Sequence, residues 1–121
     1  MASMQVVWEK SSGERVILAR EVELATNFFA RAKGLLGRAF LPPEKGLLIR
    51  PCNSIHTFFM RFPIDVIFLN RRNEVVKILR NLPAGRVTWP NWATYQVLEL
   101  AAQVVPSDLQ PKARLDLCIN S

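Results

Sequence analysis

The feature that most constrains this chain is a pair of β-branched runs, Ile64–Leu69 and Glu74–Leu79, joined by Asn70-Arg71-Arg72-Asn73. Asparagine tolerates the left-handed backbone of a tight reversal, so the pattern predicts an antiparallel hairpin. Val6 and Trp8 alternate with Val7 and Glu9, a polar stretch holding Gly13 follows, and Arg15–Ala19 resumes an apolar run, which predicts a second hairpin. Gly46–Ile49 reads as a short buried strand closed by Pro51, because proline cannot donate to a central ladder. His56–Arg61, ended by Pro63, then Thr94–Leu100 and Leu115–Ile119, read as further strands. Phe28, Phe29, Ala32 and Leu36 recur at helical spacing, Thr26 or Asn27 can cap the start, and Gly34 or Gly37 can end it. One short helix is predicted between about Thr26 and Lys33.

Short strands, frequent turn signals and a single helix give the expected fold class: mostly β, a compact single-domain barrel or sandwich with one short helix. The length of 121 residues suits one domain, and half of the residues are hydrophobic, which excludes disorder as the main state. Apolar runs fall far short of the roughly 20 residues of a membrane-spanning helix. Met1–Trp8 lacks the basic start and long apolar middle of a secretory signal, so the expected compartment is the cytoplasm.

Sixteen Lys and Arg against ten Asp and Glu give +6, a balance that favours nucleic acid, anionic lipid or another acidic surface. Yet only Arg71-Arg72 are adjacent cations, so no block reads as a nucleic-acid arm. Cys52 and Cys118 are expected to be thiols packed as small hydrophobes rather than a disulfide.

Four blocks occur in succession: Arg31-Ala32-Lys33-Gly34-Leu35-Leu36-Gly37-Arg38, Gly46-Leu47-Leu48-Ile49, His56-Thr57-Phe58-Phe59-Met60-Arg61-Phe62-Pro63-Ile64-Asp65-Val66-Ile67-Phe68 and Val97-Leu98-Glu99-Leu100. In them the chain resembles the prokaryotic family of domain of unknown function 192. The likeness runs from about Glu23 to Leu100, and the order of the blocks is more specific than any one of them. It implies a small β-rich domain and supplies no reaction. It also draws Arg31, Arg61 and His56 toward Asp65. Two positions depart from the family pattern: Gln103 stands where Gly is common, and Lys112-Ala113 stand where a Gly-Asp pair is usual.

His56, the single histidine, shares an extended face with Cys52, and with Cys118 these could supply a zinc ligand set. No Cys-x-x-Cys pair supports that reading, and a histidine held by a backbone carbonyl or carboxylate competes with it. A Cys52–His56 catalytic dyad fails on distance, since residues four apart on a strand are about 13 Å apart. Asp65 lies inside an apolar run, where a lone carboxylate would cost several kcal/mol, so it needs an arginine, a histidine or backbone amides as partner, as a structural brace or as half of a polar pocket. Glu99, between Leu98 and Leu100, invites the same reasoning. Trp89, Trp92 and Tyr95 cluster near Arg86, an arrangement able to stack bases or hold a planar ligand, or simply to cap the end of a barrel.

The leading expectation is a non-catalytic binding domain for a small polar or anionic ligand or a protein partner. Its expected site comprises Arg31, His56, Asp65, Trp89, Trp92 and Glu99, in a monomer with no metal, no cofactor and no membrane contact. A small hydrolase or lyase, with His56 as acid-base and Asp65 as its orienter, is the rival. An adaptor for nucleic acid or another anionic surface is the third reading.

Overall fold

The computed structural model describes residues 3–27, 30 and 35–120. Among them seven strands form one sheet: β1 (Met4–Glu9), β2 (Arg15–Ala25), β3 (Lys45–Ile49), β4 (Ile64–Leu69), β5 (Val75–Leu82), β6 (Gln96–Ala101) and β7 (Leu115–Ile119). Their order is β5-β4-β6-β3-β2-β1-β7, antiparallel throughout except for the parallel β2–β3 pair. The sheet curls into a half-barrel whose edges meet at one place. There Val75 N donates to Ala113 O at 2.7 Å, Lys112 N to Val75 O at 2.7 Å, and Leu115 N to Asn73 O at 2.9 Å.

Both faces of the central strands are covered, which is why all six residues of β4 are buried and all but Asp65 are apolar. Side chains alternate with a period of two. Ile67 and Leu69 of β4, with Leu98 and Leu100 of β6, enter one cluster, which also gathers Val75 from one edge of the sheet and Leu115 from the other. Drawing on both edges, it fills the concave side. Ile64, Val66, Phe68 and Val97 point the other way and are covered by Leu35, Leu41, Ile55 and Met60 from the long connections. A segment over 102–113 closes the bottom, sending Val105 and Leu109 into the concave cluster.

The β4–β5 hairpin forms as predicted, with β5 running on to Leu82 and Asn73 adopting φ 62 in the turn. The β1–β2 hairpin, β3, β6 and β7 are also present. The expected strand over His56–Arg61 is not. His56 makes an isolated bridge to Val87, and the chain then turns at Thr57–Met60, where Phe59 has φ 65. The alternation that suggested a strand is real, with Ile55 and Thr57 buried and His56 and Phe58 exposed, but its partner is an irregular loop. The expected helix lies outside the described residues, save that the amide of Ala30 donates to Asn27 Oδ1 at 2.7 Å, the contact of a helix cap.

Candidate functional site

The two acids of the apolar runs are separated by register. Asp65 lies opposite Leu100 and Glu99 opposite Val66, so the two carboxyls project from opposite faces of the sheet. Asp65 is almost wholly buried on the concave side, and each of its oxygens accepts one amide: Asn81 N at 2.8 Å and Val105 N at 3.0 Å. β5 carries one extra residue opposite Asp65, since Ile64 faces Leu82 while Val66 faces Leu79, and Asn81 takes φ 53 in that bulge. The carboxylate thus ties the bulge to the 102–113 segment, which is the brace among the expected roles, with amides rather than arginine or histidine as partners. Glu99 lies among Leu47, Val66 and Val97 on the convex side, where burial pushes its carboxyl up to about 7 against the opposing pull of Arg38.

The segments 53–57 and 85–91 form a two-stranded ribbon over the convex face. Thr57 N donates to Arg86 O at 2.8 Å, Gly85 N to Thr57 O at 2.9 Å, Thr88 N to Ile55 O at 2.9 Å and Asn91 N to Asn53 O at 3.1 Å. Buried Thr57 locks it further, its Oγ1 donating to Pro83 O at 2.7 Å and accepting from Arg86 N at 2.9 Å. His56 is on the outward side, stacked on Phe58 with ring centroids 5.5 Å apart. The sheet therefore lies between His56 and the Asp65 carboxyl, and the acid does not orient the ring. Trp89 and Trp92 are both uncovered on the returning strand of the ribbon. Arg31 lies outside the described residues. Cys52 donates its thiol to Ser54 O at 3.1 Å, Cys118 is exposed on β7, and among the described residues no three His, Cys, Asp or Glu side chains are placed to hold a metal ion.

The expected residues are thus divided, with Asp65 on the concave side and His56 and Trp89 on the ribbon, and a polar concavity forms elsewhere, at the half-barrel mouth where β4 ends and β6 begins. Two clefts of about 360 Å³ each flank Arg71 and Tyr95, whose guanidinium carbon lies 4.1 Å from the ring centroid. The first is lined by Asn70, Arg72, Trp92 and Thr94, and the second by Arg50, Asn73 and Gln96 with an apolar wall of Met4, Leu24, Leu117 and Ile119. Three buried polar atoms here have no hydrogen-bond partner among the described residues: Arg50 Nε, Thr94 Oγ1 and Gln96 Oε1. Gln96 is fixed in orientation, because its Nε2 donates to Asn70 O and Asn73 Oδ1 at 3.1 and 2.6 Å. Its oxygen is left as an acceptor in want of a donor. Arg50 and Arg71 face no carboxylate among the described residues. Of the aromatic cluster expected from the sequence, Trp92 and Tyr95 border these clefts. Gln96 carried the same signal as Asp65, a polar side chain at the head of an apolar run, whereas nothing local marked Arg50.

Residues 7–117 match the family DUF192, described as "Uncharacterized ACR". The chain belongs to that family. Two solved structures share the DUF192 fold seen here. One, from Sinorhizobium meliloti 1021, is described as a "putative transcription regulator"; at 24% identity and a TM-score of 0.79 it covers 95% of this chain and 93% of its own. The other, a protein of unknown function from Novosphingobium aromaticivorans DSM 12444, is 25% identical with a TM-score of 0.75, covering 93% of this chain and 83% of its own. A search of curated proteins finds none that matches.

Proposed function

We propose that this DUF192 domain is a non-catalytic binding module that takes a small anionic ligand at the half-barrel mouth. One observation carries the reading: two arginines without carboxylate partners stand beside buried polar atoms that nothing in the described protein satisfies. Leaving such atoms dry costs on the order of 1–3 kcal/mol each, and a bound molecule offering an acceptor to Arg50 and a donor to Gln96 would recover it. The apolar wall of Met4, Leu24, Leu117 and Ile119 suits a carboxylate or phosphate attached to a compact hydrocarbon body. Mouths of β-barrels are common ligand sites for this reason.

The test is a panel of small carboxylates and phosphates screened by thermal shift and by quenching of tryptophan and tyrosine emission. A ligand of this site raises the melting temperature in proportion to occupancy. Its effect disappears in Arg71→Ala and in Gln96→Leu, while Arg15→Ala, which removes a remote exposed cation, leaves it unchanged. Binding that survives both mouth substitutions would place the ligand elsewhere.

A further inference from the structure

We infer that the ligand of the half-barrel mouth is an α-hydroxy carboxylate with a compact hydrocarbon tail, which rests on the anion site proposed above and narrows what it takes. The selecting group is Gln96. It is 2% exposed, and its amide cannot turn over, because Nε2 already donates to Asn70 O and Asn73 Oδ1 at 3.1 and 2.6 Å. Oε1 is the atom left open, an acceptor with no partner among the described residues. A plain carboxylate carries acceptors alone and would set oxygen against oxygen there. A molecule in the cleft that Gln96 lines must therefore bring a donor as well as an acid.

Register places that donor beside the acid. Ile49 lies opposite Val97, and the same pairing carried one residue further sets Arg50 opposite Gln96. Side chains so paired start about 5 Å apart and rise from one face. Arg50 Nε and Gln96 Oε1 stand the same number of bonds beyond Cβ, so an unpartnered donor and an unpartnered acceptor have equal reach from neighbouring positions. A hydroxyl on the carbon next to a carboxylate answers both. In a phosphate ester the nearest hydroxyl lies further from the acid oxygens, across an additional C–O–P link.

The donor is a neutral one. None of the residues lining either cleft is acidic, and Arg50 and Arg71 have no carboxylate partner among the described residues, so an ammonium would meet like charge with nothing to balance it. The tail has its own wall. Met4 of β1 lies opposite Ile119 of β7, with Leu117 and Leu24 lining the same cleft, and Leu24 and Ile119 are 38% and 78% exposed, apolar surface that the described protein leaves uncovered. At about 360 Å³ the cleft is at the small end of ligand pockets, a size for a few carbons rather than a long chain. Acid, hydroxyl and tail each meet a different group, so the site distinguishes mirror images.

The test is a matched series titrated into the full chain by calorimetry: both enantiomers of α-hydroxyisocaproate, isocaproate without the hydroxyl, α-ketoisocaproate with an acceptor in its place, leucine with an ammonium there, and glycerol phosphate. One enantiomer of the hydroxy acid should bind about tenfold or more tighter than isocaproate, with the keto acid and leucine no better than isocaproate and the phosphate ester weaker than the hydroxy acid. Gln96→Leu removes the acceptor and should bring the hydroxy acid level with isocaproate. The series itself is read on the unaltered chain, where no folding defect can imitate a preference. Equal affinity for the hydroxy acid and isocaproate, equal affinity for the two enantiomers, tighter binding of the keto acid, leucine or glycerol phosphate, or an advantage that survives Gln96→Leu would overturn the inference while leaving an anion site at the mouth. Absence of binding by every member also overturns it, and the broader anion panel then decides separately whether the mouth is a site at all.

Discussion

Asp65 shows how much one side chain can organise. Its two oxygens hold amides from segments 40 residues apart in one case and 16 in the other. Asp65→Ala strands the buried Val105 amide and the part-buried Asn81 amide, so it should lower stability by about 2–4 kcal/mol in urea denaturation, and a loss under about half a kcal/mol would show the brace to be idle. Glu99 acts through pH instead. Its folded pKa, pushed up to about 7 from an ordinary 4.5, means the folded chain keeps a proton that the unfolded chain has released. The contribution of Glu99 to stability is therefore fully present below pH 4.5, falls as pH rises to about 7, and levels off beyond, a loss on the order of 3 kcal/mol. Denaturation midpoints compared at pH 5 and pH 8 test this, and Glu99→Gln should flatten the difference. Both acids were legible in the sequence as polar residues within apolar runs, and a brace was among the roles expected of Asp65, but their separation was not. A one-residue offset in register sends them to opposite faces, and no local pattern records which strand lies opposite which.

The hairpins were legible because each carries its own instructions: β-branched runs for the strands and turn residues between them. His56–Arg61 misled because period-two alternation describes any extended ribbon, including one that pairs with a loop. Between β3 and β6 the spacing itself is informative. A Cβ on Gly46 would lie 2.6 Å from Leu100 Cδ2 and 3.0 Å from the Glu99 carbonyl oxygen, and although the leucine can swing aside, the carbonyl is held in the ladder. Gly46→Ala should cost about 1–3 kcal/mol of stability, read from the same urea curves. The reverse holds at the turn after β6. Gln103 keeps φ 70, a glycine-like backbone with a longer side chain. Gln103→Gly should stabilise the chain by about 1 kcal/mol, as relief of strain outweighs the added freedom of the unfolded chain; a drop in melting temperature would refute this.

At the scale of the molecule, the mouth could not be foreseen. Its residues come from positions 4, 24, 50, 70–73, 92–96, 117 and 119, and only the strand order brings them to one end.

The junction of β5 with the chain entering β7 has a bearing on how the domain meets other molecules. An open sheet offers its outermost strands as templates, on which extended peptides or further copies add by main-chain hydrogen bonding. Here the rims are occupied. Asn73 and Val75 are bonded to the 112–115 segment, and the Arg80 guanidinium of β5 reaches the carbonyls of Pro106 and Leu109 at 2.7 and 3.3 Å. Strand addition and edge-to-edge aggregation are obstructed along that seam, so recognition falls to side chains, which discriminate by shape and charge where a backbone ladder accepts almost any sequence.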